Sequence, residues 1–336
     1  MPGLFDPIAI KGLELKNRVM MSSMCQYQAE GLDGAPVDWH FIHYVSRAIG
    51  GTGLIVLEMT NIEPRGRITE KCLGLWSQEH IPHYKRIVDA CHSYGAKAGI
   101  QIAHAGRKSV IEKGDIIGPT ALPFSENSPM PRELKKVEIE ELIEGFGKSA
   151  ELAVQAGFDT IELHGAHGYL LHQFFSPASN KREDEYGRYN RFPLEVIKAV
   201  KAKMPGDMPL IMRISAVEYR EGGYGFNHML EMIPDFIEAG IDAFDVSTGG
   251  DGPVRPKVYP AYQAKYAEII KNTFHVPVIS VGNLETPAVA ESVIRSEVAD
   301  LVAIGRGMLR NPYWVKEASL QIGENIDLPG VYNLGY

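Results

Sequence analysis

The chain has 336 residues, 45% of them hydrophobic, with 34 Lys and Arg set against 42 Asp and Glu for a formal net charge of -8 at pH 7. Residues 1–336 therefore read as one barrel-sized domain able to bury a large core, with no apolar run near the ~18 residues of a membrane span and an acidic balance that opposes nonspecific binding to nucleic acid. The start, Met1 to Pro7, has no basic segment leading into a long apolar core, and Cys25, Cys72 and Cys91 are isolated, so a reducing, cytoplasmic setting is expected.

Taken in chain order, a β-rich run at 17–24 precedes a helix over 38–50, whose apolar Phe41, Ile42, Val45 and Ile49 lie near one face and which closes on Gly50-Gly51. A second run at 53–60 is followed by a helix that Ser77 can cap and that stops at Gly95. The third run is 97–104. After it comes a long, poorly patterned piece, 107–137, carrying Pro119, Pro123, Pro129 and Pro131, which reads as an excursion over a mouth. The remaining runs are 159–164, 209–215, 242–247, 276–281 and 299–305. Thr286-Pro287 supplies an N-cap and a first-turn proline for a helix running toward Ser296.

One junction repeats: Gln155-Ala156-Gly157-Phe158-Asp159 and Glu238-Ala239-Gly240-Ile241-Asp242 each end a helix at Gly, pack an apolar residue back and start a strand, and Glu297-Val298-Ala299-Asp300 is a looser copy. Eight strands alternating with helices predict an α/β fold, an eight-stranded parallel (β/α)8 barrel, rather than an open sheet. A doubly wound sheet would want an early Gly-x-Gly-x-x-Gly, which is missing.

In such a barrel the chemistry collects after the strands' C-terminal ends. The densest collection is His164-Gly165-Ala166-His167-Gly168-Tyr169. Strand periodicity puts Glu162 and His164 on one face, and the tight Gly-Ala step brings His167 and Tyr169 back to the same space, so the turn can bind an oxygen and deliver a proton. Zinc is disfavoured, because the His-to-His spacing is three with Gly and Ala between, and no thiolate pair is near. Strand three carries Gln101 and His104. Arg213 lies inside an apolar strand, where it needs an anion, a carbonyl-rich ligand or a carboxylate such as Glu162. The last three strands end in Ser247-Thr248-Gly249-Gly250, Gly282-Asn283 and Gly305-Arg306-Gly307, small residues whose amides can approach a phosphate, with Arg306 as a forked donor.

Leu15-Lys16-Asn17-Arg18, Met24-Cys25, Ser46 to Gly51, Gly66-Arg67-Ile68, Gln101 to Lys108, the His-Gly-Ala-His-Gly-Tyr turn, Asp184 to Gly187 and Ile304-Gly305-Arg306 together resemble the old yellow enzyme family, in its bacterial thermophilic-like and xenobiotic reductase branch, over nearly the full length. The resemblance implies FMN across the mouth, NADPH or NADH as reductant, and reduction of the activated C=C bond of α,β-unsaturated carbonyl or nitro compounds by hydride transfer from flavin N5. It implies further that Gln101 and Arg213 meet the flavin's pyrimidine edge, that Ser22, Met24 and Met59 line the ring, and that Ser247, Gly249, Gly282, Asn283, Gly305 and Arg306 surround the phosphate. Cys25 would tune the flavin, His164 and His167 would bind the substrate oxygen, Tyr27 would orient it, and Tyr169 would supply the proton. A homodimer or homotetramer is implied, acting on a small-molecule alkene. The chain departs from the family at Ser23, where Pro is common, at Gly187 to Arg191, where a longer loop is usual, and at Leu334, where relatives carry an arginine. A phosphate-binding aldolase or isomerase, needing a lysine such as Lys97 or Lys108, and a noncatalytic ligand-binding barrel are the competing readings. Iron-sulfur dienoyl-CoA reductases are disfavoured by length and the lack of a cysteine cluster.

Overall fold

The computed structural model describes residues 1–112 and 114–336. Eight parallel strands close a barrel: β1 (Val19–Met21), β2 (Leu54–Asn61), β3 (Lys97–Ala103), β4 (Thr160–Gly165), β5 (Leu210–Ser215), β6 (Ala243–Ser247), β7 (Val278–Val281) and β8 (Leu301–Ile304). Each strand is followed in turn by α1 (Asp38–Ile49), α2 (Ile81–Ser93), α3 (Lys136–Gln155), α4 (Arg191–Lys201), α5 (Phe226–Ala239), α6 (Ala264–Phe274), α7 (Pro287–Arg295) or α8 (Trp314–Gln321). All eight expected strands are present, most of them shorter at their ends than the apolar runs suggest. Among the described residues no helix is long and apolar enough to cross a membrane.

Two apolar layers follow from strand alternation. Outward residues such as Ile55, Ile100, Ile161 and Phe244 pack against the helices, while Met20, Leu54, Val56, Ile211, Ile279 and Leu301 fill the barrel's lower half. A hairpin of Ile8–Ile10 and Leu13–Leu15 closes that end, with Ile10, Leu13 and Leu15 joining the inner cluster. The barrel's polar end is therefore the other one, at the strands' C-termini.

Alternation breaks once, in β2. Its register to β3 shifts between Leu57 and Thr60, so Leu57 faces the helices, Glu58 also turns outward to Tyr44 of α1, and Met59 takes the inward place. Such a bulge re-aims a side chain beside a site.

The repeated junction has a physical basis. In each copy the Asp side chain accepts a hydrogen bond from the first strand of a pair: Ala98 N–H to Asp159 (2.8 Å), Leu210 N–H to Asp242 (2.9 Å) and Val278 N–H to Asp300 (2.9 Å). A lysine completes each clamp, Lys97, Lys201 and Lys271 at 3.0, 2.8 and 2.9 Å. Gly157 and Gly240 take φ of 90° and 125°, and in the looser copy Glu297 adopts 57°. The first strand pair uses Asn17 instead, whose amide donates to Gly51 O at 2.9 Å.

Two local expectations need correction. Thr286 stands at the N-cap of α7 but its side chain makes no capping hydrogen bond, so Pro287 alone starts that helix. Ser77 does accept from Glu79 N–H, but across a 3-10 turn, Gln78–His80, that leads into α2. The excursion over 107–137 is present apart from Lys113, which lies outside the described residues, and includes a small parallel pair, Ile117–Gly118 with Arg132–Glu133.

Asp242→Ala should lower stability by about 2 kcal/mol, since it strips the Leu210 amide of its partner and leaves Lys201 and Lys11 unpaired. A urea titration that leaves the midpoint within error of the parent would contradict the clamp.

Candidate active site

At the strands' C-terminal end the side chains surround three adjoining cavities. The first, about 280 Å³, has Gln101, His164 and Arg213 from three neighbouring strands on its floor and Cys25, Tyr27, Met59, Tyr169 and His167 around it. The second, about 170 Å³, shares Arg213 with the first and is lined by Gly282, Asn283, Gly305 and Arg306. The third, about 1100 Å³, opens from His167 and Ser247 under the excursion, with Phe124 and Ser125 on its rim.

The predicted trio converges. The His164 ring lies 4.7 Å from that of Tyr169 and 5.2 Å from that of His167, both edge-on. Ala166 N–H donates to His164 Nδ1 at 3.3 Å, which leaves the proton on Nε2. His167 holds a φ of 57°, fixed by its N–H to Ser215 Oγ (3.0 Å) and by Nε2 to Ser247 Oγ (2.8 Å). When the Ser247 hydroxyl turns to Nε2 rather than to Gln263 Oε1 at 3.4 Å, the His167 proton sits on Nδ1. Burial, and behind it the Arg213 charge, push both imidazoles well below 6.5, so both are neutral N–H donors at neutral pH. Burial raises Tyr169 well above 10, so its phenol keeps its proton. His172, the third His of that stretch, faces away, accepting from Gly168 N–H and pairing with Glu218.

Arg213 meets Asp245 at 3.3 Å, on the adjacent strand, instead of the suggested Glu162, and donates to Ser22 Oγ and Ser23 Oγ. Glu162 instead takes the Gln101 amide at 2.6 Å. Burial and the neighbouring Asp245 lift Glu162 to about 8.

Met24 reaches the phosphate side, where a Cβ on Gly305 would stand 3.4 Å from its sulfur. The Cys25 thiol is pushed well above 9, first by burial and then by Glu58, and stays protonated. Glu58 accepts from Gln26 N–H at 2.7 Å and from the Tyr44 hydroxyl, fixing the turn in which Tyr27 holds a φ of 54°. In the second cavity Asn283 takes 54° and Gly282 118°. Among the described residues the N–H groups of Gly282, Asn283, Gly305 and Arg306 donate to no backbone carbonyl outside regular structure, so they are free to face an anion. Gly249 is not brought in: its N–H binds Val217 O and its α-carbon faces Tyr219, while Thr248 and Gly250 line the third cavity.

Sequence reading missed Tyr262 and Gln263. Gln263 braces the phosphate side, accepting from Thr248 (2.6 Å) and donating to Val281 O (2.8 Å); a polar pair just before α6 was its only signal. Of the two lysines an aldolase could use, Lys97 sits at the clamped end with Asp159. Lys108 does reach the mouth, donating to His167 O and Gly250 O.

Both imidazoles should remain neutral as the pH falls through the ordinary histidine range, because burial holds them well below 6.5. Side-chain 15N shifts of His164 and His167 would report this, with His164 as the Nε2–H tautomer, and a titration midpoint at or above the ordinary 6.5 in either ring would contradict the burial argument.

Residues 3–325 match the model of the NADH:flavin oxidoreductase / NADH oxidase family. The chain is 47% identical over 337 residues to an NADPH dehydrogenase of Listeria innocua, covering 99% of both chains, and 45% identical over 338 residues to an NADPH dehydrogenase of Geobacillus thermodenitrificans, covering 99% of this chain and 98% of that one. Among solved structures, morphinone reductase superposes with a TM-score of 0.82 at 26% identity, over 98% of this chain and 92% of that one. A 2-naphthoyl-CoA reductase superposes at 0.89 and 26% identity, but this chain spans only 52% of it. Family match, full-length relatives and barrel geometry agree: the chain belongs to the NADH:flavin oxidoreductase / NADH oxidase family, the old yellow enzymes.

Proposed function

We propose that the protein is a cytoplasmic ene-reductase that uses NADPH or NADH to reduce activated C=C bonds of α,β-unsaturated carbonyl or nitro compounds. The observation that carries this reading is the convergence of two neutral imidazole N–H donors and a protonated phenol on one cavity floored by Gln101 and Arg213.

The mouth fits FMN. Four amides and Arg306 around the small cavity suit one terminal phosphate, and Gln101 and Arg213 offer an amide and a guanidinium to the polar edge of a flat ring, with Ser22, Met24, Met59 and Cys25 beside it. Bound FMN supplies the hydride for the alkene's β-carbon. His164 Nε2–H and His167 Nδ1–H hold the substrate oxygen and stabilise the negative charge that develops there, an effect of typically a few kcal/mol per donor. Tyr169 delivers the proton to the α-carbon. Tyr27 closes the side of the cavity and orients the substrate. Cys25, a protonated thiol, sits where it can alter electron affinity without acting as a nucleophile. Lys108 lends the aldolase reading one lysine at the mouth, but family membership favours the flavin.

We further infer a homodimer or homotetramer, supported by the apolar tail, in which Val331 is 72% and Leu334 87% exposed. Neither residue lines a cavity of the mouth, so the tail has a surface to offer and no role in this protomer's own site.

Tyr169→Phe should slow alkene reduction by about 10²-fold while reduction of the flavin by NADPH proceeds at nearly the parent rate. Rapid mixing times the two halves separately, and equal slowing of both would make Tyr169 structural. His164→Ala and His167→Ala should each weaken binding of a para-substituted phenol, followed by its charge-transfer band with the flavin. In the parent that affinity should rise with pH through the phenol's own ionisation, with no inflection between pH 6 and 7. Unchanged affinity in both variants would remove the oxygen-binding assignment.

A further inference from the structure

The third cavity is larger than a small alkene requires; ligand pockets for drug-sized molecules run from about 300 to 1,000 Å³, and this one is about 1100 Å³. Its walls carry Lys108, Arg220 and Arg255 against a single carboxylate, Glu126. The charge behind those walls does not restore balance. Asp251 is fully buried, yet it already takes both Arg107, at 2.9 Å to each oxygen, and Arg220 at 3.0 Å, and Arg107 Nε and Nη1 are buried without a partner. Glu218, the nearby buried acid, is occupied by His172 and Tyr224 N–H.

Among the described residues no carboxylate pairs with Lys108. It is held by two carbonyls and by the faces of Phe124 and Tyr169, at 4.6 and 4.7 Å. Burial, then repulsion from Arg107 and Arg255, bring it down to about 8 against the pull of Asp251. Arg255 is exposed and forms no ion pair among the described residues. A concave wall with surplus cations focuses field lines on an anion. The wall begins at His167 and Ser247, so a long ligand whose flat end lies in the first cavity would run its remainder along it.

We propose that Lys108, Arg220 and Arg255 form an anion subsite that takes a phosphate group of the reduced nicotinamide nucleotide. This rests on the reading that such a nucleotide is the reductant. Its phosphate could be the central diphosphate or the 2′-phosphate that only NADPH carries, and the two respond differently to the same variant.

The test uses the full-length, FMN-loaded protein, its Arg255→Glu variant and the charge-retaining Arg255→Lys. Because Arg255 is exposed and unpaired, neither change threatens the fold. Calorimetric titration with adenosine 2′,5′-bisphosphate should give a Kd raised about fivefold in Arg255→Glu, the size expected for a rim charge, and within about twofold of the parent in Arg255→Lys. The difference should shrink as salt is raised. A matching rise in KM for NADPH alone assigns the 2′-phosphate, and an equal rise for NADPH and NADH assigns the diphosphate; both support the subsite. An unchanged Kd together with unchanged KM values overturns it, as does an effect confined to an alkene bearing a carboxylate. Bisphosphate binding needs neither alkene nor electron transfer, so failure of alkene reduction would leave this titration readable and the two readings fail separately.

Discussion

Arg213 carries a full positive charge into the barrel interior, and the floor of the mouth is organised around keeping it there. Desolvating a guanidinium costs several kcal/mol unless it is paired and hydrogen-bonded. Asp245 and the Ser22 and Ser23 hydroxyls meet that need. A second carboxyl, Glu162, lies beside Asp245; burial raises both above the ordinary carboxylate range, and the Asp245 charge raises Glu162 further. Glu162 Oε2 and both Asp245 oxygens are buried without a conventional donor, the pattern of a pair that shares a proton. One guanidinium, two carboxyls and one proton leave the floor near neutrality at pH 7. Gln101 is fixed in the same arrangement, its amide held by Glu162, so the position of the floor's polar edge follows from charge balance.

What the sequence made legible was periodicity. Alternation and helical stripes located all eight strands, and the Gly-to-Asp junction pointed to a repeated role that proved to be a backbone clamp. The His-to-Tyr turn could be read as a convergent site because a strand with two residues of tight turn leaves few other arrangements. Alternation failed in β2, where counting by twos places Glu58 inside and a bulge puts Met59 there. Only resemblance to relatives named Met59. Gly249 failed for a related reason: of four small residues in a row, spacing cannot say which turns its backbone to the cavity.

Three of the residues at the mouth, Tyr27, His167 and Asn283, are in the left-handed region, which costs a non-glycine residue of order 1–3 kcal/mol. Nothing in composition announces this. Local hydrogen bonds offset it: Glu58 anchors the amide before Tyr27, and Ser215, Ser247 and Lys108 hold His167 by its N–H, ring and carbonyl. Their side chains thus enter the cavity from directions that an unstrained turn would not provide.

The aspartate clamps act at the end of the barrel opposite the mouth, each tying one strand to its predecessor through a main-chain amide. Three strand pairs are tied in this way and Asn17 holds the fourth, none of them through a residue of the mouth. The connections on the other face range from residues 282–286 between β7 and α7 to residues 104–135 between β3 and α3, without altering any clamp. The fold thus separates the frame from the chemistry: the loops can lengthen or change charge while the frame that holds them stays the same.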